Sequence, residues 1–226
     1  MKYTSAMSAV FDALRTPSIQ VLLLGTTFLL TMLFVHMGVL AEADNALLMA
    51  LGDVAPSSGW QHDMWRDITA MGSNTVLVFV TLSVAIALSI SGEQKKALTF
   101  VAAVTLGLAM TFLLKAGIAR PRPSEMVHET NVYTQSFPSA HATLSTLVYF
   151  YIAYLLTLFS RNTAVRVWVY AVAALLVLCI GLSRIVLGVH WPSDVVAGWC
   201  AGGCMAALSF FVIKWKRKLR VKPQKS

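Results

Sequence analysis

Two histidines and an aspartate interrupt the apolar sequence at a spacing suited to nucleophilic chemistry. His190 and Asp194 are four residues apart, and Pro192 between them suits the first turn of a helix. A carboxylate beside an imidazole fixes its tautomer and supports positive charge on it, which leaves the other ring nitrogen free to attack phosphorus. His141 stands at the start of another apolar segment, from which it can protonate a leaving oxygen. The pattern predicts a nucleophile with a separate general acid.

Three cations lie near these groups in the sequence: Lys115, Arg122 and Arg184. Arginine offers a planar fork of donors to phosphate oxygens, and lysine offers a compact charge. Ser139 opens an apolar segment, where the free amides and the dipole of a helix start favour an anion, although capping alone would explain it. A single cation of this kind is explained by snorkelling to a membrane surface. Three cations beside two histidines favour a phosphate-binding site.

A zinc site made by His141, His190 and Asp194 is an alternative, because all three are zinc ligand types. The surrounding cations oppose a second positive centre, so the sequence predicts no metal and no cofactor. The remaining histidines are interpreted as polar residues at a membrane surface: His36, His62 and His128. The cysteines are interpreted as small buried residues: Cys179, Cys200 and Cys204.

The composition indicates that lipid surrounds the elements that position these residues. Of the 226 residues, 57% are hydrophobic and 12% are charged, whereas soluble domains average about 45–50% apolar and about 25% charged. So few charges cannot cover a water-exposed surface of this size, and disorder needs the opposite composition. The sequence therefore predicts a membrane protein.

Six apolar segments are long enough to span a bilayer: residues 19–40, 74–90, 97–114, 142–159, 167–182 and 195–213. They predict an all-α, polytopic membrane protein, a bundle of six transmembrane helices forming one domain over residues 1–226. The loop 41–73 contains Trp60 and Trp65, and it is interpreted either as a short interfacial helix or as a partly ordered loop. Gly198 and Gly202 form a GxxxG pair, which predicts close helix packing, within the chain rather than between chains. The oligomeric state stays open.

The distribution of Lys and Arg predicts the orientation. With the first residues inside, 13 of the 18 cations lie on the inner side, and seven of them lie in the basic tail 214–226. Both termini are then cytoplasmic, and the polar clusters face outward. The tail is expected to meet anionic lipid, and nucleic-acid binding is the weaker alternative. Residues 41–43 look like a signal-peptide cleavage site, but the preceding apolar run exceeds the about 7–15 residues of a signal peptide.

The order of these residues resembles the type 2 phosphatidic-acid phosphatase superfamily, whose members are integral-membrane lipid phosphate phosphatases. The family motifs are written K-x6-R-P, P-S-G-H and S-R-x5-H-x3-D. The first is matched fully from Lys115 to Pro123 and the third from Ser183 to Asp194. The second has Ala140 in place of glycine. The motifs and their spans cover about residues 70–210.

The resemblance implies a role for each matched residue. His190 attacks phosphorus to form a phosphohistidine, Asp194 orients it, and His141 protonates the leaving group. The residues implied to bind phosphate are Lys115, Arg122, Ser139, Ala140 through its amide, and Arg184. No metal is needed. Arg120 matches no motif position and is interpreted only as a contact to the lipid headgroup.

The sequence thus predicts a membrane phosphatase for a lipid phosphate or diphosphate, such as undecaprenyl diphosphate, phosphatidylglycerol phosphate, phosphatidic acid or lipid A phosphates. The expected partners are this lipid and the membrane, and the expected site is the periplasmic side of a bacterial inner membrane. One alternative is a lipid phosphotransferase using the same histidine. Another is a non-enzymatic transporter, which would not need the paired histidines. The same site residues also resemble those of soluble vanadium haloperoxidases, but the six predicted membrane spans count against that assignment.

Overall fold

The computed structural model describes residues 16–52, 59–123 and 134–220, with side chains as far as residue 212. Its regular elements are eight helices: α1 (Pro17–His36), α2 (Ala41–Gly52), α3 (Trp60–Ala70), α4 (Asn74–Ile90), α5 (Gln94–Ile118), α6 (Ala140–Thr157), α7 (Thr163–Val186) and α8 (Pro192–Arg220). His128 and the end of the predicted tail, residues 221–226, lie outside the described residues, while the backbone of 214–220 continues α8.

Polar residues set the starts of the helices as the sequence pattern predicts. Ser73 and Asn162 accept hydrogen bonds from the first turns of α4 and α7, and Ser139 does the same for α6. Pro17 lies in the first turn of α1, where its missing N–H costs nothing.

The fold contains the six predicted membrane segments. Five helices are long and apolar enough to cross a membrane: Pro17–His36, Gln94–Ile118, Ala140–Thr157, Thr163–Val186 and Pro192–Val212. The sixth segment, α4, has 17 residues, and it joins α3 at a bend of 43° to make one longer apolar unit. The predicted all-α membrane bundle with short additional helices is confirmed.

The predicted loop 41–73 forms two helices that behave differently. α2 lies against the ends of α7 and α8 and buries Asp44 and Leu48, which share one face because they are four residues apart. Leu48 packs in a small apolar cluster with Ala142 and Val195. α3 leaves Trp60 73% exposed, consistent with the expected interfacial position of a tryptophan.

Close contact between α6 and α8 explains the GxxxG pair. A Cβ atom on Gly202 would lie 2.2 Å from the carbonyl oxygen of Thr143, and one on Gly198 would lie 2.8 Å from that of Ser139. Only glycine permits this approach, so the pair serves packing within the chain, as predicted. The approach brings the start of α6 next to the start of α8.

Candidate active site

The three predicted motifs meet at one end of the helix bundle. Lys115 lies in the last turn of α5, Arg184 in the last turn of α7, and His190 in the loop that leads to α8. The starts of α6 and α8 are joined directly, since the Ser139 N–H donates to the backbone carbonyl of Asp194 at 3.0 Å. The ends of α5 and α7 thus lie beside the starts of α6 and α8, which brings together residues that are far apart in sequence.

The hydrogen-bond geometry of His190 defines its tautomer. The ring is 2% exposed. Its Nε2 lies 3.3 Å from Nη1 of Arg122, and because a guanidinium can only donate, Nε2 must be the unprotonated nitrogen. Nδ1 then carries the proton and faces Ser136 Oγ at 3.3 Å and Asp194 Oδ2 at 3.5 Å. The lone pair of Nε2 therefore points toward the guanidinium of Arg122.

Burial lowers the pKa of His190 well below the ordinary histidine value, and the charges of Arg184, Arg122 and Lys115 lower it further. The imidazole is consequently neutral at neutral pH, the form that carries a free lone pair. Burial also lowers the pKa of Arg122, against the opposing effect of Asp194, and this guanidinium stays charged because its ordinary pKa is so high.

Asp194 is completely buried and its carboxylate is saturated with donors. Oδ1 accepts a 2.6 Å hydrogen bond from Nη1 of Arg120. Oδ2 accepts from the hydroxyl of Ser136 and, at 3.0 Å, from the backbone N–H of Trp191. These contacts fix the side of the carboxylate that faces His190.

Lys115 and Arg122 are held by carbonyl oxygens. Nζ of Lys115 donates to the carbonyls of Gln135 at 2.5 Å and Ser136 at 3.2 Å, and Nη1 of Arg122 donates to that of Val189 at 2.6 Å. Within the described ranges, neither cation pairs with a carboxylate. Their positive charge therefore remains available to an anion.

Arg184 has unused hydrogen-bonding capacity. It is 6% exposed, and its Nη1 donates to Thr69 Oγ1 at 2.7 Å. Its Nε is buried without a hydrogen-bond partner in the part of the chain that is described. Such an unpaired donor costs about 1–3 kcal/mol, and a bound phosphate oxygen would satisfy it.

His141 lies in the first turn of α6 on the other side of these cations. Its ring is within electrostatic reach of Arg184, His190 and Lys115, and it packs beside Gly72, where an added Cβ would lie 3.3 Å from its Cδ2. Among the described residues, its ring nitrogens make no hydrogen bond. The ring nitrogens are thus available for proton transfer to a ligand.

The start of α6 supplies backbone donors. Ser139 is completely buried and caps the helix by accepting from the Ala142 N–H at 3.5 Å. Ala140 is the first helical residue, so its N–H has no acceptor within the helix. All eight predicted site residues therefore lie around one region.

Sequence reasoning missed several residues of this site. Arg120, interpreted as a headgroup contact, instead binds Asp194 and Asp44, with its side chain only 15% exposed. Ser136 and Thr69 also contact site residues. The Arg-Pro-Arg spacing of 120–122 was one available signal, but Ser136 and Thr69 are isolated polar residues whose sequence context gives none. Across the described ranges, no three His, Cys, Asp or Glu side chains are grouped to hold a metal, so the donor set does not support the zinc alternative.

Comparison with known proteins gives a consistent result. Residues 96–218 match the PAP2 superfamily. Phosphatidylglycerophosphatase B of Bacillus subtilis (strain 168) is 28% identical over 83% of this chain and 89% of that protein. Decaprenylphosphoryl-5-phosphoribose phosphatase of Mycolicibacterium smegmatis is 37% identical over 53% of this chain and 62% of that protein.

A solved structure is similar in fold. The crystal structure of a transmembrane PAP2-type phosphatidylglycerolphosphate phosphatase from Bacillus subtilis superposes with a TM-score of 0.80. The sequence identity is 24%, and the superposition covers 91% of this chain and 99% of the other. The two chains therefore share the same helical architecture along nearly their whole length.

Proposed function

The chain belongs to the PAP2 superfamily and is a multi-pass membrane protein, and on this premise we propose that it hydrolyses a lipid phosphate or diphosphate through a phosphohistidine on His190. One observation carries the proposal. The unprotonated Nε2 of a buried histidine faces Arg122, a cation that no described carboxylate pairs with, while Nδ1–H faces Asp194.

The substrate phosphate binds among Lys115, Arg122 and Arg184. Its oxygens take the unpaired Nε of Arg184 and the amide of Ala140 as donors, together with the charges of the two other cations. Phosphoryl transfer depends mainly on positioning and on electrostatic stabilisation of the equatorial oxygens. Two buried cations and the half-buried Arg122 beside a helix start supply both.

In the first step, Nε2 of His190 attacks phosphorus and the bond from phosphorus to the leaving oxygen breaks. His141 gives that oxygen its proton. The carboxylate of Asp194 stabilises the positive charge that develops on the His190 ring, through Nδ1–H. The lipid alcohol or lipid monophosphate then leaves.

In the second step, a water molecule attacks the phosphorus of phosphohistidine while His141, now neutral, takes a proton from the water. The P–N bond breaks, the electron pair returns to Nε2, and inorganic phosphate is released. Every proton and electron pair is accounted for by side chains of this chain, so the proposed reaction requires no metal or cofactor.

The substrate class follows from the membrane setting and the relatives. Their names specify phosphatidylglycerophosphate and decaprenylphosphoryl-5-phosphoribose as substrates, which share a phosphate on a long lipid tail. We assign the same class to this chain, with the site on the periplasmic side of a bacterial inner membrane and both termini cytoplasmic. The excess of Lys and Arg at the opposite end supports this orientation.

The test is phosphate release by the detergent-purified protein from a panel of lipid phosphates and diphosphates, with and without a chelator. The His190→Gln variant should release no phosphate above background, while His36→Gln, a change at an exposed histidine that contributes nothing to the proposed mechanism, should match wild type. Hydrolysis by His190→Gln would refute the mechanism, and sensitivity to the chelator would indicate a metal. Phosphate that appears only on an added acceptor lipid would indicate a phosphotransferase.

A further inference from the structure

Arg120 joins two buried acids at the outer edge of the site. Its Nη1 donates to Oδ1 of Asp194 at 2.6 Å, and its Nη2 donates to Oδ2 of Asp44 at 2.7 Å. Asp194 is fully buried and Asp44 is 3% exposed. One guanidinium fork thus connects a catalytic helix to α2, a helix that contains none of the predicted site residues.

Asp44 also holds the start of α8. Its Oδ1 accepts the backbone N–H of Ser193 at 2.8 Å, and its Oδ2 accepts the hydroxyl of Ser193 at 2.6 Å. It therefore acts as an N-cap supplied from another helix, where a negative charge is favourable. Leu48, one turn further along α2, packs against Val195. Polar and apolar contacts together keep Asp44 in place.

The loop before α8 also contacts Arg120. The guanidinium lies 5.4 Å from the ring centre of Trp191, and the indole Nε1–H donates to the carbonyl of Pro121 at 3.0 Å. Arg120 is accordingly fixed at both ends of its fork and over one face. A side chain held so firmly imposes its geometry on its partners.

We propose that Arg120 and Asp44 are a pair of positioning residues for Asp194, which couple the docking of α2 to the orientation and charge of the carboxylate behind the nucleophile. The proposal rests on the assignment of His190 as the nucleophile. Arg120 occupies Oδ1, so that Oδ2 is the oxygen that faces His190 Nδ1. Its charge offsets part of the charge of Asp194, and Asp44 offsets part of the charge of Arg120.

The pair has a consequence that a purely structural contact would lack. The attacking form of His190 is neutral, so the acidic limb of kcat/KM follows its protonation. The charged and titratable groups around that ring are Lys115 from α5, Arg122, His141 from α6, Arg184 from α7 and Asp194 from α8. Removing the cation at Arg120 favours protonation of His190, and removing the anion at Asp44 opposes it. Neutral substitutions at Arg120 and at Asp44 should therefore shift the acidic limb of kcat/KM in opposite directions.

The experiment measures kcat, KM and the pH profile of phosphate release for Arg120→Gln, Arg120→Lys and Asp44→Asn, with Arg161→Gln at the opposite end as the control. Arg120→Gln should lower kcat about 100-fold, as for a misplacement of about 1 Å in the catalytic groups, with KM changed by less than about threefold. Its acidic limb should move to higher pH. Asp44→Asn should lower kcat less and move the limb to lower pH, and Arg120→Lys should recover part of the lost rate.

The loss of kcat in the double variant Arg120→Gln/Asp44→Asn should be smaller than the product of the two single losses, because Asp44 acts partly through Arg120 and partly by capping α8. If Arg120→Gln does not fold, two results still test the positioning role. These are the shift of the acidic limb to lower pH in Asp44→Asn and the kcat of Arg120→Lys. If the folded variants keep the wild-type kcat and the acidic limb of kcat/KM stays at the same pH, the proposal is overturned. The mechanism remains intact in that case, provided His190→Gln is inactive. Activity of His190→Gln would instead refute the proposed function.

Discussion

The two ends of the helix bundle differ in how deeply their charged side chains are buried. At the site end, Lys115 is 4% exposed, Arg184 is 6% exposed and Asp194 is fully buried. At the other end, Arg161 is exposed, and the side chains of Lys96 and Glu93 form a 2.6 Å ion pair while staying 30% and 42% exposed. The same helices, α5 to α7, carry both kinds of end.

The difference shows that the buried charges are not explained by stability. Moving an ion out of water costs several kcal/mol unless it is fully paired, and exposed cations at the opposite end avoid that cost. Cavity size does not mark the site either, since a cavity of about 1410 Å³ lies between α1, α6, α7 and α8 and includes residues of the opposite end, such as Pro17 and Thr163. Concentrated buried charge distinguishes the site end.

The comparison is tested most strongly by removing one cation from each end. Arg184→Gln should reduce kcat/KM for lipid phosphate hydrolysis by about 10²–10³-fold, the usual loss when one donor to a transition-state oxyanion is removed. Arg161→Gln should change it by less than about twofold, because an exposed charge contributes little. Similar losses in both variants would show that the two ends do not differ in the way described.

The close contact between α6 and α8 should tolerate an added methyl group less well than an open helix face does. Gly202→Ala places a Cβ 2.2 Å from the Thr143 carbonyl and should lower the free energy of unfolding by about 1–3 kcal/mol, the usual cost of overpacking. Gly117→Ala, where nothing lies within 4 Å, should raise it by up to about 1 kcal/mol through helix propensity. Unfolding in mixed micelles monitored by circular dichroism provides both values, and equal stability of the two variants would contradict the close α6–α8 contact.

The site end should also determine the pH profile. Because burial and nearby cations lower the pKa of His190 well below the ordinary value, it stays neutral as pH falls through the usual histidine range. The kcat/KM of wild type should therefore decline only below about pH 6.5, the unperturbed histidine pKa. Arg184→Gln should move this decline to higher pH, and Arg161→Gln should leave it unchanged. A wild-type decline beginning above pH 7 would contradict the geometry.

The smallest effect is expected at the single departure from the family motif. Ala140→Gly removes a methyl group at the first position of α6 and leaves the amide in place. Phosphate release should change by less than about threefold, while stability falls by up to about 1 kcal/mol because glycine loses more entropy in a helix. A loss of activity comparable to that of Arg184→Gln would mean that the Ala140 side chain itself contacts the substrate.

The sequence predicted those parts of the fold and site that local patterns encode. Apolar runs identified all six membrane segments, and the motif residues came together because each stands at a helix end on the same side. The bend of 43° between α3 and α4 lies beside the contact of Thr69 with Arg184, which joins residues that no single apolar run connects. The bond between Asp44 and Arg120 joins residues 76 positions apart, and Asp44 looked like any acid in an outer loop.

The central claim is a phosphoryl group carried by Nε2 of His190. It is tested most directly by mixing the protein with a lipid substrate labelled with ³²P at the terminal phosphate, quenching in alkali within milliseconds, and mapping the labelled peptide. The account predicts one label that is stable to alkali and labile to acid, on the peptide containing His190, and absent from His190→Gln. Label on a different residue, or a labelled His190→Gln variant that still releases phosphate, would contradict it.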